Sequence, residues 1–591
     1  MKPRLLPLAL ALLLALTGCG GEAVSSSGNA TPAEDYFSHR DLEGIYDPNH
    51  LVDITLSETG IHCDSSAVTV EGTTATITEE GTYRLRGTLD SGMVIVDTDK
   101  HSKVQLVLDN CSITSPQSAA IYVRQADKVF ITTAQGSENT LSNGGSFVAI
   151  DDSNIDATLF SKDDLTLNGA GTLTILSPAG HGVVSKDSLT VAGGSYAVTA
   201  ASHGLEGKDD VCVTNATLTI VSGKDGIHTE NEDDTALGYF YTADSTFHIT
   251  AEGDGISAAS YLTVDSGSYT ITAGGGYENG QNQSSGNWGS FMPGGGPGGG
   301  PRPGGDREPP GQMPPQDTAD TTDSTSMKGL KAEGALTING GNFTLNCADD
   351  AIHSNGDLTV AGGEFTLSSG DDAVHAENIL TIHHCQMTVE ACYEGLEALE
   401  LYLNGGDIHI TATDDGLNAS GGKDASGISG GRDGRFGGTP GGGGFGQAMG
   451  LIEINGGNLT ILASGDGLDS NGDLTINGGL VIVSNPTAGD TSVLDSQNRP
   501  LIHGGTYLGL GATTMMAESF GDQSTQAVLA CTTGNQSAGT DITIADSQGN
   551  QLFTYHSAYP FVLMIYSAPE LEKGADYHIT AGTASGTVTA D

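Results

Sequence analysis

Hydrophobic and polar positions alternate along most of this chain in short runs separated by Gly, Asn and Asp, and the runs recur as a unit. The stretch Asp350-Ala351-Ile352-His353-Ser354-Asn355-Gly356-Asp357-Leu358-Thr359-Val360-Ala361-Gly362-Gly363-Glu364-Phe365-Thr366-Leu367 returns 22 residues on as Asp372-Ala373-Val374-His375, followed by Leu380-Thr381-Ile382 and Met387-Thr388-Val389. It returns again as Glu394-Gly395-Leu396-Glu397 and as Asp415-Gly416-Leu417-Asn418. Upstream, Val183, Leu205 and Ile227 take the Ile352 position at intervals of 22 residues. Ile256, Leu330 and Leu468, with weaker copies at Ile121 and Leu159, bring the series to about twelve.

Each copy holds three segments of strand periodicity bounded by turn residues. The second and third read apolar-Thr-apolar, as in Leu189-Thr190-Val191, Leu336-Thr337-Ile338, Phe343-Thr344-Leu345 and Leu459-Thr460-Ile461. Three strands in about 22 residues predict an all-β fold, a right-handed parallel β-helix in which each rung stacks on the last. Alternation sends Ile, Leu and Val inward and Thr outward. Twelve rungs at about 4.8 Å give a column of roughly 58 Å. Neither a propeller nor a sandwich produces this period.

The β-helical domain is expected over 36–485. Residues 229–239 lengthen one turn, while 274–327 and 420–449 are Gly/Pro/Ser-rich, lack periodicity and read as disordered excursions from rung corners. After about residue 485 the repeat fades, and 486–591 is expected to form a small β cap over the open end of the column. Residues 35–115 are expected to cap the other end.

Composition narrows the partners. The 591 residues include 73 acidic and only 22 basic side chains, for a formal charge of −51. Nucleic acid and anionic membrane surfaces need clustered cations, so neither is expected as a partner. Aromatic residues are 5% of the chain, which predicts an aliphatic core.

The N-terminus is not expected to join the fold. Lys2 and Arg4 precede the apolar run 5–16, too short to span a bilayer, and Leu16-Thr17-Gly18-Cys19 resembles a bacterial lipobox. Residues 1–19 thus read as a lipoprotein signal peptide with Cys19 as the lipid attachment site, and 20–35 as a flexible tether. The expected location is the outer face of the cell membrane of a Gram-positive bacterium, with membrane contact through the lipid alone.

Chemistry concentrates at the corner before the first strand, where an acid-Gly/Ala-apolar-polar unit recurs at Asp225, Asp254, Asp350, Asp372, Glu394, Asp415 and Asp466. Asp before Gly is ordinary turn chemistry. Stacking adds a further consequence. Like carboxylates at about 4.8 Å repel by about 1 kcal/mol in water and by about 3–4 kcal/mol at an effective dielectric of 20. With few Lys or Arg to compensate, the column calls for a counter-cation, and extracellular Ca²⁺ fits its oxygen donors. The doublets Asp349/Asp350, Asp371/Asp372 and Asp414/Asp415, with Glu394, are the expected ligands.

His181, His203, His228, His353 and His375 recur near the same corner and read as a surface ladder, with zinc binding the alternative. Lys162, Lys186 and Lys208 share one ladder position. They are expected to pair with Asp163, Asp187 and Asp209 or to meet an acidic ligand, and Lys208 is the base if the protein is a lyase. Trp288, in a Gly-rich loop, is a further candidate for ligand contact. Seven cysteines besides Cys19 show no zinc or disulfide spacing, although Cys385 and Cys392 could bridge.

The lipobox, the D-G/A-I-H-S-N-G-D-L-T-I/V-x-G-G-x-F-T-L rung, the Gly-rich insertions and the segment 534–549 together resemble the carbohydrate-binding β-helix lipoproteins of clostridia, over about residues 50–590. That family is similar to pectate-lyase-type β-helices. The resemblance implies bound calcium, with Asp349/Asp350 and Asp371/Asp372 as ligands, and binding of plant polysaccharides such as cellulose or polygalacturonate without cleavage. The leading expectation is therefore non-catalytic, calcium-dependent polysaccharide binding at the cell surface. A calcium-dependent polysaccharide lyase and a surface adhesion or scaffold protein are the alternatives.

Overall fold

The computed structural model describes residues 36–58, 60–280, 326–419, 450–489 and 491–591. Cys19, the tether 20–35, Trp288 and most of the two Gly-rich insertions lie outside these residues.

Strands pair in parallel with the strand one repeat further on, which generates three ladders. In the first, Ile121, Leu159, Val183, Leu205, Ile227, Ile256, Leu330, Ile352, Val374, Leu396, Leu417 and Leu468 follow one another in register. None of them is more than 1% exposed. The second ladder aligns Leu189, Val211, Phe240, Leu262, Leu336, Leu358, Leu380, Leu401, Ile452 and Leu474 in the same way. The third runs from Leu173 through Phe343 and Phe365 to Tyr507. This is the coiled topology expected of a β-helix. A one-residue slip would turn every buried side chain to solvent, at about 1.5–3 kcal/mol for each large one. That cost holds the register across both insertions, so Ile256 meets Leu330 and Leu417 meets Leu468.

The interior is not purely aliphatic. Phe247, Tyr269, Phe343 and Phe365 stack with centroids 4.9, 4.7 and 4.7 Å apart, the strand spacing itself. Equal register places like on like, so a few rings suffice for a continuous aromatic ladder. Gly341 and Gly363 sit beneath these rings at φ +121° and +120°, where an added Cβ would come within 3.1 and 3.0 Å of the Phe343 and Phe365 rings. No L side chain suits that position.

Within 35–115, antiparallel strands Gly60–His62 and Val68–Glu71 flank this end of the column, and other strands belong to the coil. Val52–Leu56 pair in parallel with Tyr83–Gly87, and Gly81–Leu89 with Val104–Ile113, so they already coil with the column. Their unequal spacing hides the period. A segment outside the coil instead lies across the outer surface: the five-residue helix His39–Glu43, capped by Ser38, presents Asp41 to Lys128 at 2.9 Å and its carbonyl to Asn168 at 3.0 Å. Tyr36 stacks on Tyr241 at 3.7 Å. These contacts bury outward positions such as Thr166 and Cys212 that alternation alone would expose.

At the other end the coil continues past residue 485, because Thr506–Gly511 pair in parallel with Leu480–Asn485. The exposed edge of that last strand is then taken by Leu563–Ser567 running antiparallel. A four-stranded antiparallel sheet follows, 540–546, 551–557, 576–581 and 584–589. A second core of Leu508, Leu529, Ile542, Met564 and Tyr566 packs there. Part of the first insertion is also ordered against the rungs, with the Tyr277 amide donating to Asn346 Oδ1 at 2.8 Å. Cys385 and Cys392 are buried and unbridged, and every cysteine among the described residues is free.

Candidate functional site

The corner before the first ladder is pressed tightly rung on rung. A Cβ on Gly255 would lie 2.5 Å from the Gly329 carbonyl oxygen, so the position after the acid must be very small. Amides at these small residues donate in turn to the carbonyls of His203, Asp225, Asp254, Lys328, Asp350, Asp372, Glu394, Asp415, Asp466 and Ser492. The acids therefore form one vertical column, as the repeat predicts. Several carboxylates also accept an amide from the next rung: Asp225 from Asp254 at 2.8 Å, Asp254 from Lys328 at 2.7 Å and Asp350 from Asp372 at 3.0 Å. Beside it a second column faces outward in register: Glu206, His228, Ser257, Lys331, His353, His375, Glu397, Asn418, Asp469 and Asp495.

Three chemical zones result. In the middle zone the protein supplies its own cation. Lys328, with no exposed side-chain surface, places Nζ 3.2 Å from Asp349 Oδ1 and in hydrogen-bond contact with Asp350 Oδ2. His353 Nδ1 shares Asp350 Oδ2 at 2.7 Å. Burial alone would raise the Asp350 pKa, but Lys328 and His353 outweigh it and hold the carboxyl well below the usual range. Asp349, Asp350 and Asp371 bring oxygens within 4.8 Å of one another, and the Lys328 ammonium lies against the first two. Lys328 escaped the sequence reading because it takes the acid position of a rung interrupted by the long insertion.

Further along, the column has acids and no lysine or arginine among the described residues. Asp372 and Glu397 both reach His375 Nδ1 at 2.9 Å. Glu394 accepts Asn418 Nδ2 at 2.6 Å, and Asp415 accepts the Asp466 amide at 2.5 Å. Burial, reinforced by neighbouring carboxylates, pushes Asp372, Glu394 and Asp415 well above the ordinary carboxylate range. Asp466 is pushed up to about 8 by burial and by Asp495, Asp469 and Asp414. Asn418 is 3% exposed, and its Oδ1 has no hydrogen-bond partner. Of the sequence-predicted ligands, Asp371, Asp372, Glu394, Asp414 and Asp415 fall in this zone. Asp495 was missed because the repeat lengthens after Asp469.

The third zone is imidazole-rich. His181, His203 and His228 stack with centroids 5.1 and 4.5 Å apart, and His353 with His375 at 4.8 Å. His353 and His375 are not surface residues, at 3% and 1% exposed, whereas His181, His203 and His228 are partly exposed.

The lysine ladder also differs from expectation. Lys186 Nζ pairs with Glu206 at 2.8 Å and Glu230 at 3.1 Å rather than with Asp187. Asp163 instead accepts the Ala126 amide, and Asp209 accepts Asn231 Nδ2. Lys162 and Lys208 are exposed. An open groove of about 620 Å³ lies on another corner, lined by Asn342, Glu364, Gln386 and Asp407 among others.

Residues 71–373 and 371–549 match the family model described as carbohydrate-binding domain-containing protein. A carbohydrate-binding domain-containing protein from Acetivibrio thermocellus is 37% identical over 279 residues, 46% of this chain and 92% of that protein. A solved structure of the polysaccharide lyase-like protein from C. thermocellum, as a gadolinium derivative, is 30% identical with a TM-score of 0.36, covering 38% of this chain and 92% of that one. With more than half its length matched, and a relative covered almost end to end, this chain belongs to the carbohydrate-binding domain-containing protein family.

Proposed function

We propose that this chain is a non-catalytic surface lipoprotein that binds an acidic polysaccharide through calcium held on the acid column between Asp371 and Asp495. The observation that carries the reading is the run Asp372, Glu394, Asp415 and Asp466, buried side by side with no lysine or arginine beside them among the described residues. The unpartnered Asn418 Oδ1 among them adds a neutral oxygen donor. A hard ion collecting 6–8 oxygens suits this set. Calcium held on one side by protein oxygens keeps positions for uronate carboxylates and hydroxyls on the other. Outward Thr and Asn of successive rungs supply repeating hydrogen-bond groups along the chain of sugars.

In this reading the column is a right-handed β-helix of about twelve rungs, right-handed as parallel crossovers are. Residues beyond about 511 act as its cap. Lipid on Cys19 holds it at the cell surface.

Calorimetric titration with Ca²⁺ and oligogalacturonate tests the reading. Binding of de-esterified polygalacturonate is expected with Ca²⁺ and lost in EDTA; binding that persists in EDTA removes the calcium bridge. Polygalacturonate incubated with the protein should develop no unsaturated-product absorbance. Product that is lost in K208A would make it a lyase.

A further inference from the structure

Upstream of Lys328 the shared corner carries a donor set unlike the acid column. The amides of Gly182 and Gly204 donate to the carbonyls of His203 and Asp225, each at 3.0 Å, which sets the imidazoles in vertical register. Ligand atoms of His181, His203 and Glu206 lie within 4.8 Å of one another. His181 Nδ1 is buried and makes no hydrogen bond, yet it stands 3.2 Å from Glu206 Oε2. The imidazole nitrogen and the carboxylate oxygen thus converge within reach of a single ion.

The carboxylate is not free to turn away. Glu206 is 4% exposed, and Lys186 Nζ holds its other oxygen, Oε1, at 2.8 Å. His203 is oriented by Asp225, whose amide donates to His203 Nδ1 at 3.2 Å and whose Oδ2 lies 3.3 Å from the same nitrogen. Asp225 Oδ2 in turn holds His228 Nδ1 at 2.9 Å. Asp225 and His228 thus form the backing that orients the His203 ring.

Two imidazoles and one carboxylate are the wrong donors for calcium, which takes oxygen, and the right ones for a borderline divalent ion. Zinc accepts this set at about 2.0–2.2 Å, and three protein ligands leave a fourth position open.

We propose that His181, His203 and Glu206 bind a borderline divalent transition-metal ion, Zn²⁺ being the probe of choice, at a site separate from the oxygen-donor column. His181 and His203 are partly exposed, so water reaches the edge of this group. The site does not depend on the glycan reading, because its occupancy is measured with no polysaccharide present.

The full chain, stripped with EDTA and desalted, is titrated with Zn²⁺ in excess Ca²⁺, so that hard-ion sites are already filled. One saturable Zn²⁺ site is expected, weakened by about 10-fold or more in H181Q and in E206Q and unchanged in H409Q, whose histidine is exposed. Absence of saturable binding, or equal affinity in H181Q and E206Q, overturns the proposal. Should either variant fail to fold by circular dichroism, crystals of the unsubstituted chain grown with equimolar Zn²⁺ decide. An anomalous peak between His181 and Glu206 supports the site, and a peak elsewhere or none refutes it.

Discussion

Lys328 meets Asp350 with neither side chain exposed to solvent, so two successive rungs of the column share an internal ion pair. Lys328 also donates its backbone amide to Asp254 Oδ1 at 2.7 Å, tying three successive rungs together. Replacing it with methionine leaves Asp349 and Asp350 buried without their ammonium. K328M is expected to lose about 3–5 kcal/mol in urea unfolding. Near-unchanged stability would mean that the carboxylates reach water or another cation.

The acid zone has the opposite pH signature from that pair. Asp350 is depressed when folded, so its stabilisation is present above the ordinary carboxylate pKa and is lost as pH falls through its folded value. Asp466 is raised to about 8, and Asp372, Glu394 and Asp415 also lie well above the ordinary range. Between pH 4 and 8 the unfolded chain therefore binds fewer protons than the folded one, and stability in EDTA falls as pH rises. Thermal unfolding should show a lower Tm at pH 8 than at pH 5 without metal. Added Ca²⁺ should raise Tm more at pH 8, because binding must displace protons. A calcium increment that is equal at both values, or larger at pH 5, counts against the column as the calcium site.

Neutralising one member of the acid zone tests the repulsion directly. Asparagine at position 415 keeps an oxygen for the Asp466 amide and removes a charge. At pH 8 in EDTA, D415N is expected to have a higher Tm than the unsubstituted protein. Its Ca²⁺ increment is expected to be smaller, with calcium affinity down by about 10-fold, in the range typical of perturbed metal sites. A lower Tm in EDTA together with an intact calcium increment would contradict both halves.

The aromatic ladder makes a separate claim about the core. Phe343 is 2% exposed between Tyr269 and Phe365, so F343A should lose about 3–5 kcal/mol in denaturant unfolding. Its neighbour Thr344 is exposed, and T344A should stay within about 0.5 kcal/mol. Equal effects would mean that the rings are not packed as a continuous stack.

Much of the coil was legible because alternation and turn residues are local, and a 22-residue period repeats them. Ile352, Val374 and Leu396 occupy equivalent positions in the chain and in space. The ends were less legible. Strands within 52–113 coil at irregular lengths, and the outer segment around Asp41 reaches Lys128 and Asn168 by contacts with no sequence period. The lysine stack was misread because Lys186 turns across the corner to Glu206 and Glu230.

By itself the amino-acid pattern determined the rung, its inward and outward faces, and the recurrence of an acid at one corner, since each depends on near neighbours along the chain. Which acids go uncompensated, where Lys328 supplies the missing charge, and which histidines face a carboxylate were decided by tertiary structure alone. Those outcomes depend on side chains from different rungs meeting within a few ångströms, where burial and the neighbouring charge set the balance.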